Sequence, residues 1–235
     1  TVLLPKVGPY IARLEEKLKA RGINSGLHLM SSSGGIMSAN IAKRQPVQMV
    51  ESGPAAGVIG AAFVASRSGY HNLLALDIGG TTAKLAVVND GQPQIAEQFE
   101  VGASAVASVT AQRGQGYPVL TPVISLVEIG AGGGSIAHLD PGGALTVGPQ
   151  SAGADPGPAC YGRGGERPTV TDANLLLGYL NPEYFLGGEM SLSTELARKT
   201  LEALADELGL ELEEAAWGVH DIVTEQMVSA ARVHI

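Results

Sequence analysis

Apolar positions recur every three to four residues at the start of the chain. Over "VGPYIARLEEKLKARG", Val7, Tyr10, Ile11, Leu14 and Leu18 fall on one face of a helix, and Gly22 supplies its stop. The period then shortens. "LHLM" (27–30) predicts a short strand entering a turn at "SSSGG" (31–35), "MSANIAKRQ" a short helix ended by Pro46, and "VQMV" (47–50) a further strand. Ser52 is expected to cap a helix that holds Pro54 in its first turn and runs through small residues to Ser66 before Gly69. "NLLALDIGGTTAKLAVV" (72–88) predicts strands at about 73–78 and 82–89 around a Gly-Thr turn, and "QPQIAEQFEVG" a third strand.

From Gly102 to Arg167 the pattern is dense in Gly, Pro and Ser, too glycine-rich for helices and too apolar for a linker. Strands are expected at 122–129, 135–139 and 144–148, the last two joined by a "DPGG" hairpin turn. Helical spacing returns in "TVTDANLLLGYL", over 193–207, and from about 211 to Ile235.

Composition narrows the classes. Hydrophobic residues at 45% and charged residues at 16% predict a folded core, while 32 glycines with 4% aromatics point to close backbone approaches. A formal charge of -8 without a basic stripe argues against nucleic acid. The single cysteine, Cys160, excludes an internal disulfide, and no apolar run reaches the roughly 20 residues of a membrane span. No signal peptide is recognisable, so a cytoplasmic location is expected.

In Asp77-Ile78-Gly79-Gly80-Thr81-Thr82, glycines would let backbone N–H groups approach an anion, the threonines add hydroxyls, and Asp77 offers an oxygen to Mg²⁺. A plain hairpin is the competing reading. "GAGGGS" (130–135), with Gly132, Gly133 and Gly134, is either a second anion nest or a glycine-packed turn. His138 follows it closely; the five histidines show no metal-ligand spacing. Asp155 either closes an Asp-Pro turn, the favoured reading, or meets a metal or substrate. Asp172 reads as a helix N-cap, and Cys160 as a packed rather than a nucleophilic thiol.

"VQMVESGPAAGVIGAAFVA" followed by "NLLALDIGGTTAKLAVV" resembles the second half of the ATPase core shared by actin, sugar kinases and heat-shock chaperones. The chaperones' acid before the helix proline has no counterpart, since Gly53 stands there. With "EIGAGGGSIAHLDPGGALTVGPQSAGADPGPACYGRGGERPTVTDANLLLG", the chain resembles the hydantoinase A/5-oxoprolinase family (N-methylhydantoinase A-like) over nearly its whole length. Ser125 departs from an Asp that related sequences often have in this segment, and Lys84 stands where many relatives have Asp, although other relatives share the Ala-Lys pair.

The resemblance implies an α/β, ribonuclease H-like fold of the actin/sugar-kinase type, incomplete and carrying a glycine-rich, mostly β insertion. Residues 1–70 would close the first ATPase lobe and supply the connecting helix. Residues 71–235 would form the second lobe, with the second phosphate loop, the glycine-rich region 102–170 and the C-terminal helices. The family's first phosphate loop and its Gly-Gly-Ala-Gly-Pro adenosine motif are not found, so the chain is expected to be a central fragment. Alone it is expected to be inactive and not to bind Mg-ATP at micromolar concentration.

The implied activity is ATP-dependent opening of a cyclic amide, hydantoin or 5-oxoproline, through a phosphorylated amide. Asp77 would position Mg²⁺, and Gly79, Gly80, Thr81 and Thr82 would hold ATP phosphates. Gly132, Gly133, Gly134, His138 and Asp155 would face the substrate, and a hydantoinase B-type subunit or domain would be the partner. The alternatives are an ATP-using subunit of an acetone/acetophenone-type carboxylase and a non-catalytic actin-like nucleotide-binding module.

Overall fold

The computed structural model describes residues 2–101 and 117–234, arranged in two compact units, one of residues 2–77, 85–101 and 117–126, the other of residues 78–84 and 127–234. Part of the glycine-rich region expected at 102–170 therefore lies outside the described residues. Secondary structure is mixed α/β, and among the described residues no helix is long and apolar enough to cross a membrane.

The first unit opens with α1 (Leu4–Ala20), which buries Ile11 against Met37, Ala39 and Ala42. β1 (His28–Met30) and β2 (Ile36–Ser38) pair antiparallel with Leu29 opposite Met37, across a turn in which Ser31 N–H donates to Gly35 O. The short helix α2 is confined to Ala39–Arg44, because the residues before it extend β2. Residues 46–49 form a 3₁₀ turn, not the expected strand. Pro46 has no N–H for a ladder and a φ suited to a first helical turn, and Gln48 O is held by Ser32 N–H at 2.7 Å.

Helix α3 (Ser52–Arg67) also begins differently from the expectation. Ser52 is its first residue, and the chain turns into it through Glu51 in the left-handed region, φ 64°, without a side-chain cap. Ala55, Val58 and Ala62 then bury against Ala75 of β3 (Leu73–Ile78), Ala86 and Val88 of β4 (Ala83–Asn89), and Ile124. Small side chains let this helix lie close to the sheet. The expected third strand is broken into β5 (Gln92–Pro93), β6 (Ile95–Ala96) and β7 (Phe99–Val101). β5 pairs with β4, β6 with β9 (Val123–Ile124), and β7 with β8 (Tyr117–Val119); Pro93 cannot donate to a continuous ladder.

In the second unit, β10 (Val127–Ile129) precedes a hairpin of β11 (Ser135–Leu139) and β12 (Leu145–Ser151). Its "DPGG" turn forms as expected, with Asp140 Oδ1 accepting from Gly142 and Ala144 N–H. The helices are α4 (Val170–Leu176), α5 (Thr194–Leu208) and α6 (Leu212–His234). Thr169, not Asp172, is the N-cap of α4; Asp172 is the third helical residue and returns the bond to Thr169 N–H, a capping box.

Candidate functional site

Alternation along β3 puts Asp77 on the same face as buried Ala75, and its carboxylate is exposed at the strand's end. The loop that follows at once closes on itself, with Gly79 N–H donating to Thr82 O at 2.9 Å. Its Gly79 and Gly80 carbonyls are held from behind by the glycine run. Gly133 N–H donates to Gly79 O at 3.0 Å and Gly134 N–H to Gly80 O at 2.6 Å. Among the described residues, the N–H groups of Gly80, Thr81 and Thr82 have no protein acceptor, and Gly79, Gly80 and Thr81 are exposed. The loop therefore engages its Gly79, Gly80 and Thr82 carbonyls and leaves the Gly80, Thr81 and Thr82 donors available.

Sequence reasoning named the two glycine segments separately; the structure brings them together. A Cβ on Gly132 would lie 2.6 Å from Gly79 O, and one on Gly134 would lie 2.8 Å from Gly80 O. Neither glycine has a left-handed φ, so absence of a side chain, rather than backbone freedom, is what these positions use. This differs from an anion nest at 132–134, because two of the run's amides are committed to loop carbonyls.

Three residues not singled out from sequence complete the arrangement. Ser135, fully buried, accepts from Gly132 N–H at 2.9 Å and donates its own N–H to Gly132 O at 3.0 Å. Thr171 donates both N–H and Oγ1–H to Gly133 O, each at 2.7 Å. Ser151 Oγ lies 3.4 Å from Thr81 Oγ1 and accepts from Gly153 N–H. Ser151 and Ser135 offered no signal beyond their place next to glycines. Thr171 lay within the capping sequence "TVTD", where Thr169 and Asp172 account for the pattern.

The other candidates lie elsewhere in the second unit. His138 Nε2 is 3.2 Å from Thr146 Oγ1, its cross-strand neighbour in the hairpin. Asp155 is exposed in the turn 153–156. Lys84 pairs with Glu128 at 3.0 Å. Cys160 is fully buried; burial, then the adjacent Asp172 charge, pushes its thiol far above the usual range. A thiol held protonated is not poised to attack a carbonyl.

The donor set suits a phosphate beside a cation. Among the described residues, three N–H groups without an acceptor and two hydroxyls are anion ligands, and Asp77, two residues before Gly79 in the sequence, carries the carboxylate a cation would need. No group of three or more His, Cys, Asp or Glu side chains able to hold a metal occurs among the described residues. A Mg²⁺ ion here would depend on Asp77, water and phosphate oxygens, its usual coordination in phosphoryl-transfer sites.

Comparison with known proteins places these features in context. Residues 1–234 match the model of the hydantoinase/oxoprolinase family. The chain is 42% identical to an uncharacterised protein of Methanocaldococcus jannaschii, over 98% of the chain and 34% of that protein. It is 36% identical to the caprolactamase alpha subunit of Pseudomonas jessenii, over 98% of the chain and 31% of the relative. Its backbone is similar to a nucleotide-free structure of an ATP-dependent acetone carboxylase, with TM-score 0.80 and 32% identity over 96% of this chain and 30% of the other. The chain thus spans about a third of the length of these relatives.

Proposed function

The chain belongs to the hydantoinase/oxoprolinase family, and from that membership and the loop geometry we propose that it is part of an ATP-dependent cyclic amide hydrolase. The observation that carries the reading is the loop at 79–82, whose Gly79, Gly80 and Thr82 carbonyls are engaged while, among the described residues, three N–H groups stay available to an anion. In this reading the fold is the ribonuclease H-like ATPase type. Residues 1–70 close its first lobe, and 71–235 form much of the second.

An amide resists water because resonance lowers the electrophilicity of its carbonyl. ATP supplies a phosphoryl group that, placed on the amide oxygen, would remove that resonance and give a leaving group. The chain's own residues have a simpler task. Gly80, Thr81 and Thr82 N–H groups and the two threonine hydroxyls orient phosphate oxygens and offset negative charge as transfer proceeds. Asp77 would hold Mg²⁺ directly or through water. On the substrate side His138 and Asp155 are the side chains to test, while Gly132, Gly133 and Gly134 act on the loop. A hydantoinase B-type subunit or domain is the proposed partner; the caprolactamase relative is itself named as a subunit.

A carboxylase subunit is the second reading, favoured by the likeness to acetone carboxylase at TM-score 0.80. One assay separates them. The complete protein, with any partner subunit, is given Mg-ATP and either hydantoin, 5-oxoproline or caprolactam, or else acetone or acetophenone with bicarbonate. Stimulated ATP hydrolysis by a ring amide, reduced at least about 100-fold in Asp77→Asn, is expected. Stimulation only by ketone with bicarbonate selects the carboxylase reading, and stimulation by neither leaves the non-catalytic nucleotide-binding module.

A further inference from the structure

The contacts behind the loop run through peptide planes, and the planes connect. The peptide between residues 133 and 134 accepts two hydrogen bonds at its carbonyl, from Thr171 N–H and Oγ1–H, and donates from its other end to Gly80 O. Gly80 O belongs to the peptide whose N–H is that of Thr81, one of the available donors. A second series lies beside it: Ser135 N–H donates to Gly132 O, and the same peptide's N–H, on Gly133, donates to Gly79 O. That carbonyl's peptide ends in the Gly80 N–H.

Each amide in such a series is polarised by the bond behind it, because a hydrogen bond at the carbonyl shifts charge toward oxygen and makes the N–H more positive. Both series point the same way, from α4 and the β11 start toward the exposed face of the loop. We propose that Thr171 is a positioning residue for phosphate, acting through the 133–134 peptide to orient and strengthen the Thr81 N–H donor. The inference rests on the phosphate-loop reading given above. Thr171 never touches the ligand. Its position is fixed by the helix start, where Thr169 and Asp172 form the capping box. Glycine is required along the series because a Cβ at Gly133 would approach Thr171 Oγ1 to 2.8 Å.

The test uses the complete protein, wild type, Thr171→Ser and Thr171→Val, with Thr171→Ala in reserve should the valine variant fail to fold. Two measurements are made: the amide proton shift of Thr81 in ¹⁵N-threonine-labelled protein without ligand, and the Kd for Mg-ATP by calorimetry. Removing the hydroxyl should move the Thr81 amide upfield and raise the Kd about three- to tenfold, with Thr171→Ser close to wild type in both. An unmoved Thr81 amide overturns the relay whatever happens to ATP. A moved amide with unchanged Kd overturns its role in binding. Failure of wild type to bind Mg-ATP, with the amide shift still present, overturns the phosphate-loop reading and the ligand part of this inference with it, leaving the hydrogen-bonded series as structure.

Discussion

Two glycines in one chain give opposite expectations on gaining a methyl group. On Gly132 the new Cβ would sit 2.6 Å from Gly79 O and 2.9 Å from the carbonyl carbons of Gly80 and Thr81, all backbone. Backbone cannot rotate aside as a side chain can, so Gly132→Ala is expected to destabilise by about 1–3 kcal/mol and to weaken ATP binding by the complete protein. On Gly57, inside α3, nothing lies within 4 Å, and Gly57→Ala is expected to stabilise by about 0.5–1 kcal/mol through the helix preference for alanine. Thermal melts of both variants of the 235-residue chain check the pair; a Gly132→Ala melt at the wild-type temperature would show the loop free to move. Sequence made both glycine segments visible as candidates. Their meeting was not legible, because the letter G does not distinguish a position needing an unusual φ from one needing space. Thr171 was hidden for a related reason: its hydroxyl acts on a carbonyl 38 residues away.

At the scale of elements, the start of α4 is the most densely bonded. Asp172 is fully buried and accepts from Thr169 N–H and Oγ1–H, Ala159 N–H and Cys160 N–H. Asp172→Asn turns an amide NH₂ toward some of these donors and should cost about 2–4 kcal/mol, read as a lower denaturation midpoint. The cysteine beside it sets a pH dependence. Its thiol is held protonated by burial in the folded chain, whereas in the unfolded chain it ionises near pH 8.5. Above that pH the unfolded state binds fewer protons than the folded state, so stability is intact below about 8.5 and falls as pH rises, by at most ~1.4 kcal/mol per pH unit. Cys160→Ala should flatten the decline between about pH 8.5 and 10, below the range where Tyr161, also raised by burial, joins in. An unchanged slope would place its origin elsewhere. Long elements were legible: α1, α5, α6 and β4 follow their hydrophobic pattern, and α3 and β3 form where the sequence placed them. The misread ones are short. At "VQMV", Pro46 and the bonds to Ser32 outweigh an apolar run that looks like a strand, and at Ser52 the chain enters the helix through Glu51 in the left-handed region, without a side-chain cap.

For the whole molecule, charge and exposure set what the loop can do alone. The chain carries a formal charge of -8, which repels an anion with four negative charges, and a bound Mg²⁺ only partly offsets this. Three N–H groups and two hydroxyls on an exposed loop compete with water for each phosphate oxygen, so each bond contributes a net of only about 0.5–1.5 kcal/mol, or up to about 3 kcal/mol where the partner is charged. Against that stands the loss of translational and rotational freedom on binding, estimated at about 4–15 kcal/mol. The balance leaves little for the ligand. Titration of Mg-ATP into the 235-residue chain is therefore expected to give no saturating isotherm at micromolar concentration, with Asp77→Asn indistinguishable from wild type. Binding by the complete protein that is lost in Asp77→Asn would then mean that this loop is necessary without being sufficient, the remaining contacts coming from outside the third of the relatives' length that the chain spans. A micromolar isotherm from the 235 residues alone would reverse the conclusion: the two peptide series behind Gly80 and Thr81 would then make a loop strong enough to hold phosphate by itself.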